Sequence, residues 1–139
     1  MPLEYTFAMI KPLACRNNHV GPILAMINQA GFRISAIRST QLSKEEAEYF
    51  YQKHRGKDFY DDLCNFMSSG AIVVLLLEKE NALEDFRKLI GDTNPSFAAE
   101  GTIRKCFAEN LQKNAIHGSD SAENAKKEAD FFFNQRERY

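Results

Sequence analysis

Ala71-Ile72-Val73-Val74-Leu75-Leu76-Leu77 is the longest purely apolar run in the chain, seven residues bounded by Ser69-Gly70 and Glu78. A helix needs about 20 such residues to cross a bilayer. The run instead predicts a strand, Ala71 to Glu78, covered on both faces at the middle of a sheet. The segment before it, about Phe59 to Ser68, sets Leu63, Phe66 and Met67 on one helical face, with Ser69-Gly70 as the stop. The segment after it, Asn81 to Ile90, carries Leu83, Phe86, Leu89 and Ile90 on a second helical stripe and ends at Gly91. Arg87 falls off that stripe and is available to solvent or a ligand.

Further toward the N-terminus, Ser43-Lys44-Glu45-Glu46 is a capping box that starts a helix running to about Lys53. Phe32 to Leu42 alternates loosely and predicts a strand. Pro22 in a first turn, Ile23, Leu24, Ile27 and Ala30 at helical spacing, and Gly31 beyond them predict a helix. Glu4 to Ile10 predicts a strand that delivers Lys11 to its C-terminal edge. In the other direction, Asp92 to Lys113 predicts an irregular excursion, far longer than the usual 4–6 residue connection. Asn114 to His117 predicts a short last strand, and Ser119-Asp120-Ser121 supplies caps for a final helix with Ala125, Ala129 and Phe132 inward. The order predicts an α/β fold of the α+β kind, a ferredoxin-like βαββαβ sandwich whose four-stranded antiparallel sheet is covered by helices, with a long loop before the last strand.

At 139 residues, with 44% hydrophobic and 27% charged side chains, the chain fits one domain over positions 1–139. Its 18 basic and 19 acidic residues leave a net charge of −1, which argues against a nucleic-acid partner held by bulk charge. An anionic ligand must therefore meet a local cluster of cations. Cys15, Cys64 and Cys106 are odd in number and widely spaced, and they predict reduced thiols. The opening residues show no secretion signal, so a cytoplasmic address and no membrane partner are expected.

His117 stands at the end of a predicted strand, before Gly118 and a capped helix start. A helix N-terminus offers unpaired N–H groups to an anion, and neutral imidazole is a nucleophile able to carry a transferred group. Phosphoryl transfer through a phosphohistidine is one reading; a histidine that only ends a strand is the other, and position alone leaves both open. Lys11, Arg87 and Arg104 could spread over three phosphates, Arg as a bidentate fork and Lys as a point charge. No glycine-rich phosphate cradle of the G-x-x-x-x-G-K-S/T or G-x-G-x-x-G kind occurs in the sequence.

The run Asn114-Ala115-Ile116-His117-Gly118-Ser119-Asp120-Ser121 resembles the active-site signature of nucleoside diphosphate kinases. Thr6-Phe7-Ala8-Met9-Ile10-Lys11-Pro12 resembles that family's first strand, while Thr93-Asn94-Pro95 and Gly101-Thr102-Ile103-Arg104 resemble the two ends of its loop. The resemblance covers nearly the whole chain. It implies transfer of the γ-phosphoryl of a nucleoside triphosphate, typically ATP, to nucleoside diphosphates by a ping-pong route through His117, maintaining NTP and dNTP pools.

Carried over by position, the resemblance makes His117 the nucleophile, oriented by Glu128 and Ser119. It places Lys11 and Tyr51 at the transferred phosphoryl and gives the other phosphates to Arg87, Thr93 and Arg104. Asn114 with Lys11 would reach the sugar, and Phe59 with Leu63 and Leu111 would hold the base, for which a core position for Phe59 is the competing reading. Mg²⁺ would come with the nucleotide, held by phosphates and water rather than by protein ligands, with Asp120 as an outer partner. A homo-oligomer, tetramer or hexamer, is implied, and the short C-terminal tail resembles bacterial members. Leu13, Glu100 and Lys105-Cys106 depart from the family pattern, which motivates an alternative: a nucleotide-binding regulatory module of the same fold with reduced or no turnover.

Overall fold

The computed structural model describes residues 3–111 and 113–139. Positions 1, 2 and 112, which the expected domain and loop include, lie outside the described residues. The four strands are β1 (Leu3–Ile10), β2 (Arg33–Thr40), β3 (Ile72–Glu80) and β4 (Ile116–Gly118), in the spatial order β2-β3-β1-β4. All three pairings are antiparallel. The apolar run does become β3 at the centre, with Ile72 to Leu77 all buried.

Alternation along these strands builds two cores, because successive side chains point to opposite faces. Phe7 and Met9 of β1 with Ile72, Val74 and Leu76 of β3 face one layer. That layer is filled by helices α3 (Lys44–Phe50), α4 (Tyr60–Met67) and α7 (Ala122–Phe132), through residues such as Ala47, Cys64, Met67, Ala129 and Phe132. Ala8, Ile10, Val73, Leu75 and Leu77 face the other. There α2 (Val20–Gln29), α5 (Ala82–Ile90) and α6 (Ile103–Phe107) contribute Ile23, Ile27, Phe86, Ile90 and Ile103. Fully burying each large aliphatic or aromatic side chain contributes roughly 1.5–3 kcal/mol.

Local signals account for most boundaries. Ser43 Oγ accepts from the Glu46 N–H while the Glu46 carboxylate accepts from the Ser43 N–H, so the expected capping box is present. Gly31, at φ 97, turns the chain out of α2 into β2, and Gly91, at φ 88, ends α5. Such left-handed backbone favours glycine.

Five expectations need correction. The Asp92–Lys113 segment is not wholly irregular: it holds a 3-10 turn, Pro95–Phe97, and the five-residue α6, whose N-cap Thr102 accepts from the Lys105 N–H. A short helix not foreseen, α1, spans Pro12–Arg16 with Pro12 in its first turn. The capping-box helix stops at Phe50, and Gln52–His54 continue as a 3-10 turn. The last strand begins at Ile116 rather than Asn114, because Ala115 adopts φ 76, a left-handed conformation incompatible with a strand. On α5, Ala82, Phe86 and Ile90 bury fully, whereas Leu83 and Leu89 are only half-buried.

Candidate active site

The inner strand β1 and the edge strand β4 beside it carry the site. Ile116 points into the α5 layer, so the next residue, His117, emerges on the opposite face toward α3 and α7. Its ring lies 5.6 Å from Phe50 and 6.3 Å from Tyr51, both edge-on. The start of α7 follows at once, with Ser121 as its N-cap accepting from the Asn124 N–H. About two turns on, Glu128 points back at β4 and meets His117.

The imidazole is fixed by that carboxylate. His117 Nε2 is 3.0 Å from Glu128 Oε1, and the Ser119 hydroxyl donates to the same oxygen at 2.5 Å. Ser119 is itself held to β1, its N–H donating to the Phe7 carbonyl at 3.1 Å. A carboxylate accepts and does not donate, so the hydrogen sits on Nε2 and Nδ1 keeps its lone pair. Among the described residues Nδ1 has no hydrogen-bond partner. His117 lines a cavity of about 360 Å³ together with Tyr51, Arg87, Thr93, Arg104, Gly118 and Glu128.

The cations are placed in three different ways. Arg104, only 8% exposed, donates to the Gly91 carbonyl at 3.0 Å and the Ile116 carbonyl at 2.8 Å, tying the α5 end to β4. Burial, opposed by Asp92 and helped by Arg87, lowers its pKa to about 10. Lys11 is buried behind the cavity and donates to Asn114 Oδ1 at 2.6 Å. Burial, aided by the Arg104 charge, lowers its pKa to about 7. Arg87 is exposed on α5 and faces the cavity, its guanidinium fork without a hydrogen-bond partner among the described residues.

Tyr51 brings a hydroxyl that is buried yet unpartnered. Burial, and then the charges of Glu128 and Cys64, raise its pKa well above the ordinary phenol value, so it stays protonated. A buried donor without an acceptor, on the cavity wall, is a site for an incoming oxygen. Asn114, 3% exposed, also donates to the Leu111 carbonyl at 3.1 Å and thus fixes the end of the loop.

Not every expected residue reaches the cavity wall. Phe59 and Leu111 are surface residues, 45% and 58% exposed, which rules out the core position for Phe59. Leu63 is buried in the α3–α4–α7 layer. Phe59 connects to the cavity through His54, whose ring centroid is 5.2 Å away. Lining residues such as Phe50, Lys53, His54 and Asp92 were not assigned to the site from the sequence. They come from the end of α3 and the end of α5, and only the pairing of β4 with β1 brings them to His117. His54 accepts from Lys57 Nζ at 3.1 Å, and burial followed by the Lys57 and Lys53 charges holds its pKa below the ordinary imidazole value.

The family model for nucleoside diphosphate kinase matches residues 4–138. A nucleoside diphosphate kinase of Flavobacterium psychrophilum is 52% identical over 139 residues, covering 100% of both chains. Among solved structures, the Aquifex aeolicus nucleoside diphosphate kinase superposes with a TM-score of 0.96 at 38% identity, over 99% of this chain and 100% of that one. A halophilic nucleoside diphosphate kinase from Halobacterium salinarum, solved in complex with CDP, gives 0.93 at 31% identity, over 98% and 91%. These likenesses cover nearly the whole chain and carry no sign of a non-enzymatic module. The chain belongs to the nucleoside diphosphate kinase family and is an enzyme of that class, a nucleotide-binding phosphotransferase.

Proposed function

We propose that the γ-phosphoryl of a nucleoside triphosphate passes to Nδ1 of His117, that the diphosphate product leaves, and that a second nucleoside diphosphate collects the phosphoryl from the same nitrogen. The observation that carries this reading is the Ser119–Glu128–His117 chain. It holds hydrogen on Nε2 and leaves the Nδ1 lone pair at a cavity lined by Arg87, Thr93 and Arg104. As the Nδ1–P bond forms and the bond from phosphorus to the bridging oxygen breaks, positive charge grows on the ring. Glu128 stabilises it.

Arg87 and Arg104 supply charge along the remaining phosphates, and Thr93 a hydroxyl. The protonated Tyr51 hydroxyl donates to the transferring group or its nearest oxygen. Lys11, held by Asn114, offers an ammonium that an arriving phosphate favours in its charged form; Asn114 and Lys11 together reach the sugar. Phe59 and Leu111, both exposed, take the base between them, with Leu63 one turn beyond Phe59. An aromatic face stacks on any base with little hydrogen-bond readout.

Mg²⁺ enters this reading with the nucleotide. The cavity's carboxylates are already engaged: Asp92 with the Asn94 N–H, Asp120 with Lys53 and Asn124, and Glu128 with His117 and Ser119. Among the described residues no three His, Cys, Asp or Glu side chains gather as a cage. That donor set suits an ion held by phosphate oxygens and water, with Asp120 reaching it through water. The ion supplies neutralisation of phosphate charge when bound.

Cytoplasmic action and homo-oligomeric assembly, as a tetramer or hexamer, complete the proposal. The first is supported by three free cysteines. Among the described residues no helix is long and apolar enough to cross a membrane. The second is supported by β2, an edge strand whose Ile37 is 51% exposed. The deciding experiment is labelling with γ-³²P-ATP. An acid-labile, base-stable phosphoenzyme absent from His117→Ala, together with loss of transfer to GDP, is the expected result. A His117→Ala protein that still labels and transfers would overturn the reading.

A further inference from the structure

We propose that Lys53 is a movable phosphate ligand of this site, parked on Asp120 in the free protein and passed to the phosphate chain of the nucleotide on binding; the proposal rests on the kinase reading above. Lys53 lies in the 3-10 turn after α3 and lines the same cavity as His117, Arg87 and Arg104. Its ammonium donates to Asp120 Oδ2 at 3.2 Å, across the mouth, from a residue 67 positions away in sequence.

Two other cations of the site differ from Lys53 in what they can do. Arg104 gives its two terminal nitrogens to backbone carbonyls, and Lys11 gives its ammonium to Asn114 in the interior. Both are fixed in place by bonds that are buried or partly buried. Lys53 and Asp120 are each 49% exposed, and an ion pair so open to water is held weakly. A phosphate chain carries more charge than one carboxylate, and the lysine stem is flexible with a compact charge at its tip. Exchange therefore favours the nucleotide. Nor does the exchange strand its former partner, because Asn124 Nδ2 donates to Asp120 Oδ1 at 2.6 Å and keeps that carboxylate satisfied. The released carboxylate then faces the incoming ligand from the same rim, where it can accept from water around a phosphate-bound cation.

His54, the neighbour of Lys53 on the same turn, is biased toward its neutral form by burial and by the two lysines beside it. The turn thus presents one permanent charge to the cavity, and that charge is the one in a weak, exposed pair.

The test is calorimetric titration of ADP, in EDTA and in Mg²⁺, into the wild-type protein, Lys53→Gln and Asp120→Asn, with γ-³²P-ATP labelling of His117 run on each. Lys53→Gln is expected to bind ADP about five- to twentyfold more weakly in EDTA, with the deficit shrinking as salt is raised. Asp120→Asn, which releases the lysine without removing it, is expected to bind ADP in EDTA at least as tightly as wild type. Equal losses in the two variants would mean that the pair is only a tether between the turn and α7, and unchanged binding in Lys53→Gln would mean that the lysine does not reach the phosphates; either overturns the proposal. Failure of the kinase reading is distinguishable, because the wild-type protein would then show no label on His117.

Discussion

His117 and Glu128 are joined by a 3.0 Å contact between Nε2 and Oε1, from β4 to the middle of α7, and the Ser119 hydroxyl closes on the same oxygen. One carboxylate oxygen thus sets the tautomer of the ring, while the backbone bond from Ser119 to Phe7 ties the group to the central sheet. Glu128→Gln keeps the size and removes the charge, and the amide can present N–H to Nε2 and so favour the wrong tautomer. The rate of His117 phosphorylation in rapid-quench labelling should fall on the order of 10²-fold, with ADP affinity little changed. Ser119→Ala should fall less, since Glu128 remains. An unaltered labelling rate in Glu128→Gln would show that the carboxylate does not act on the ring.

Lys11 should make nucleotide binding proton-linked. Burial, aided by Arg104, brings its pKa from 10.5 to about 7. Between those values the unfolded chain holds a proton that the folded chain has released. Stability conferred on the fold therefore rises with pH across that window, and the penalty of a buried ammonium is fully present below about pH 7. Phosphates placed near the amine favour its charged form, so ADP binding at pH 8 should take up on the order of one proton. Titrations in buffers of different ionisation enthalpy measure this. Asn114→Asp, which sets a negative charge 2.6 Å-bond distance from the amine in place of the amide, should abolish the uptake.

Phe59 separates binding from folding. Its ring is 45% exposed, so Phe59→Ala should change the unfolding midpoint little. Base–aromatic stacking contributes about 1–3 kcal/mol, which predicts a rise in KM of roughly tenfold or more, similar for purine and pyrimidine diphosphates. A loss confined to one base would point to hydrogen-bond readout instead.

The boundary between what could be read from the sequence and what could not follows the range of the interactions. The apolar run at Ala71, the Ser43 capping box and the glycines at 31 and 91 act through neighbours a few residues away, and β3, α3 and the two helix ends form where those signals stand. Ile103–Phe107 is only five residues long, too short to display a helical period, so its segment reads as loop. Lys53 and His54 carry no local sign of function; the cavity gains them because β4 pairs with β1 and brings His117 over the end of α3. Conversely, Phe59 has the composition of a core residue and stands at the surface, and nothing in its own stretch of sequence distinguishes the two.

Gly91 should tolerate no side chain. It sits at φ 88, and a Cβ there would lie 2.6 Å from Thr102 Oγ1 and 2.7 Å from Thr102 Cβ. The left-handed backbone adds strain for any L residue. Because the Gly91 carbonyl accepts from Arg104 and Thr102 caps α6, the clash reaches the phosphate side of the cavity directly. Gly91→Ala should lower stability by about 2–4 kcal/mol in urea unfolding and weaken ADP binding together with it. Retention of wild-type stability would mean that the loop yields without cost.

Arg104 joins structure and ligand in one side chain, so its conservative replacement is informative. The guanidinium spans the Gly91 and Ile116 carbonyls with two nitrogens, and Ile116 immediately precedes His117. Lysine keeps the positive charge but not the planar fork, so it can serve only one of these carbonyls well. One buried acceptor left unpaired costs about 1–3 kcal/mol, and Arg104→Lys should lower the unfolding free energy by that amount. If Arg104 also binds phosphate, the same variant should raise KM for nucleotides by roughly tenfold, and added guanidinium should restore part of the activity to Arg104→Ala by filling the vacated place. A variant that loses stability with KM unchanged would make Arg104 a brace for β4 alone, leaving Arg87 and the other cavity cations to hold the phosphates.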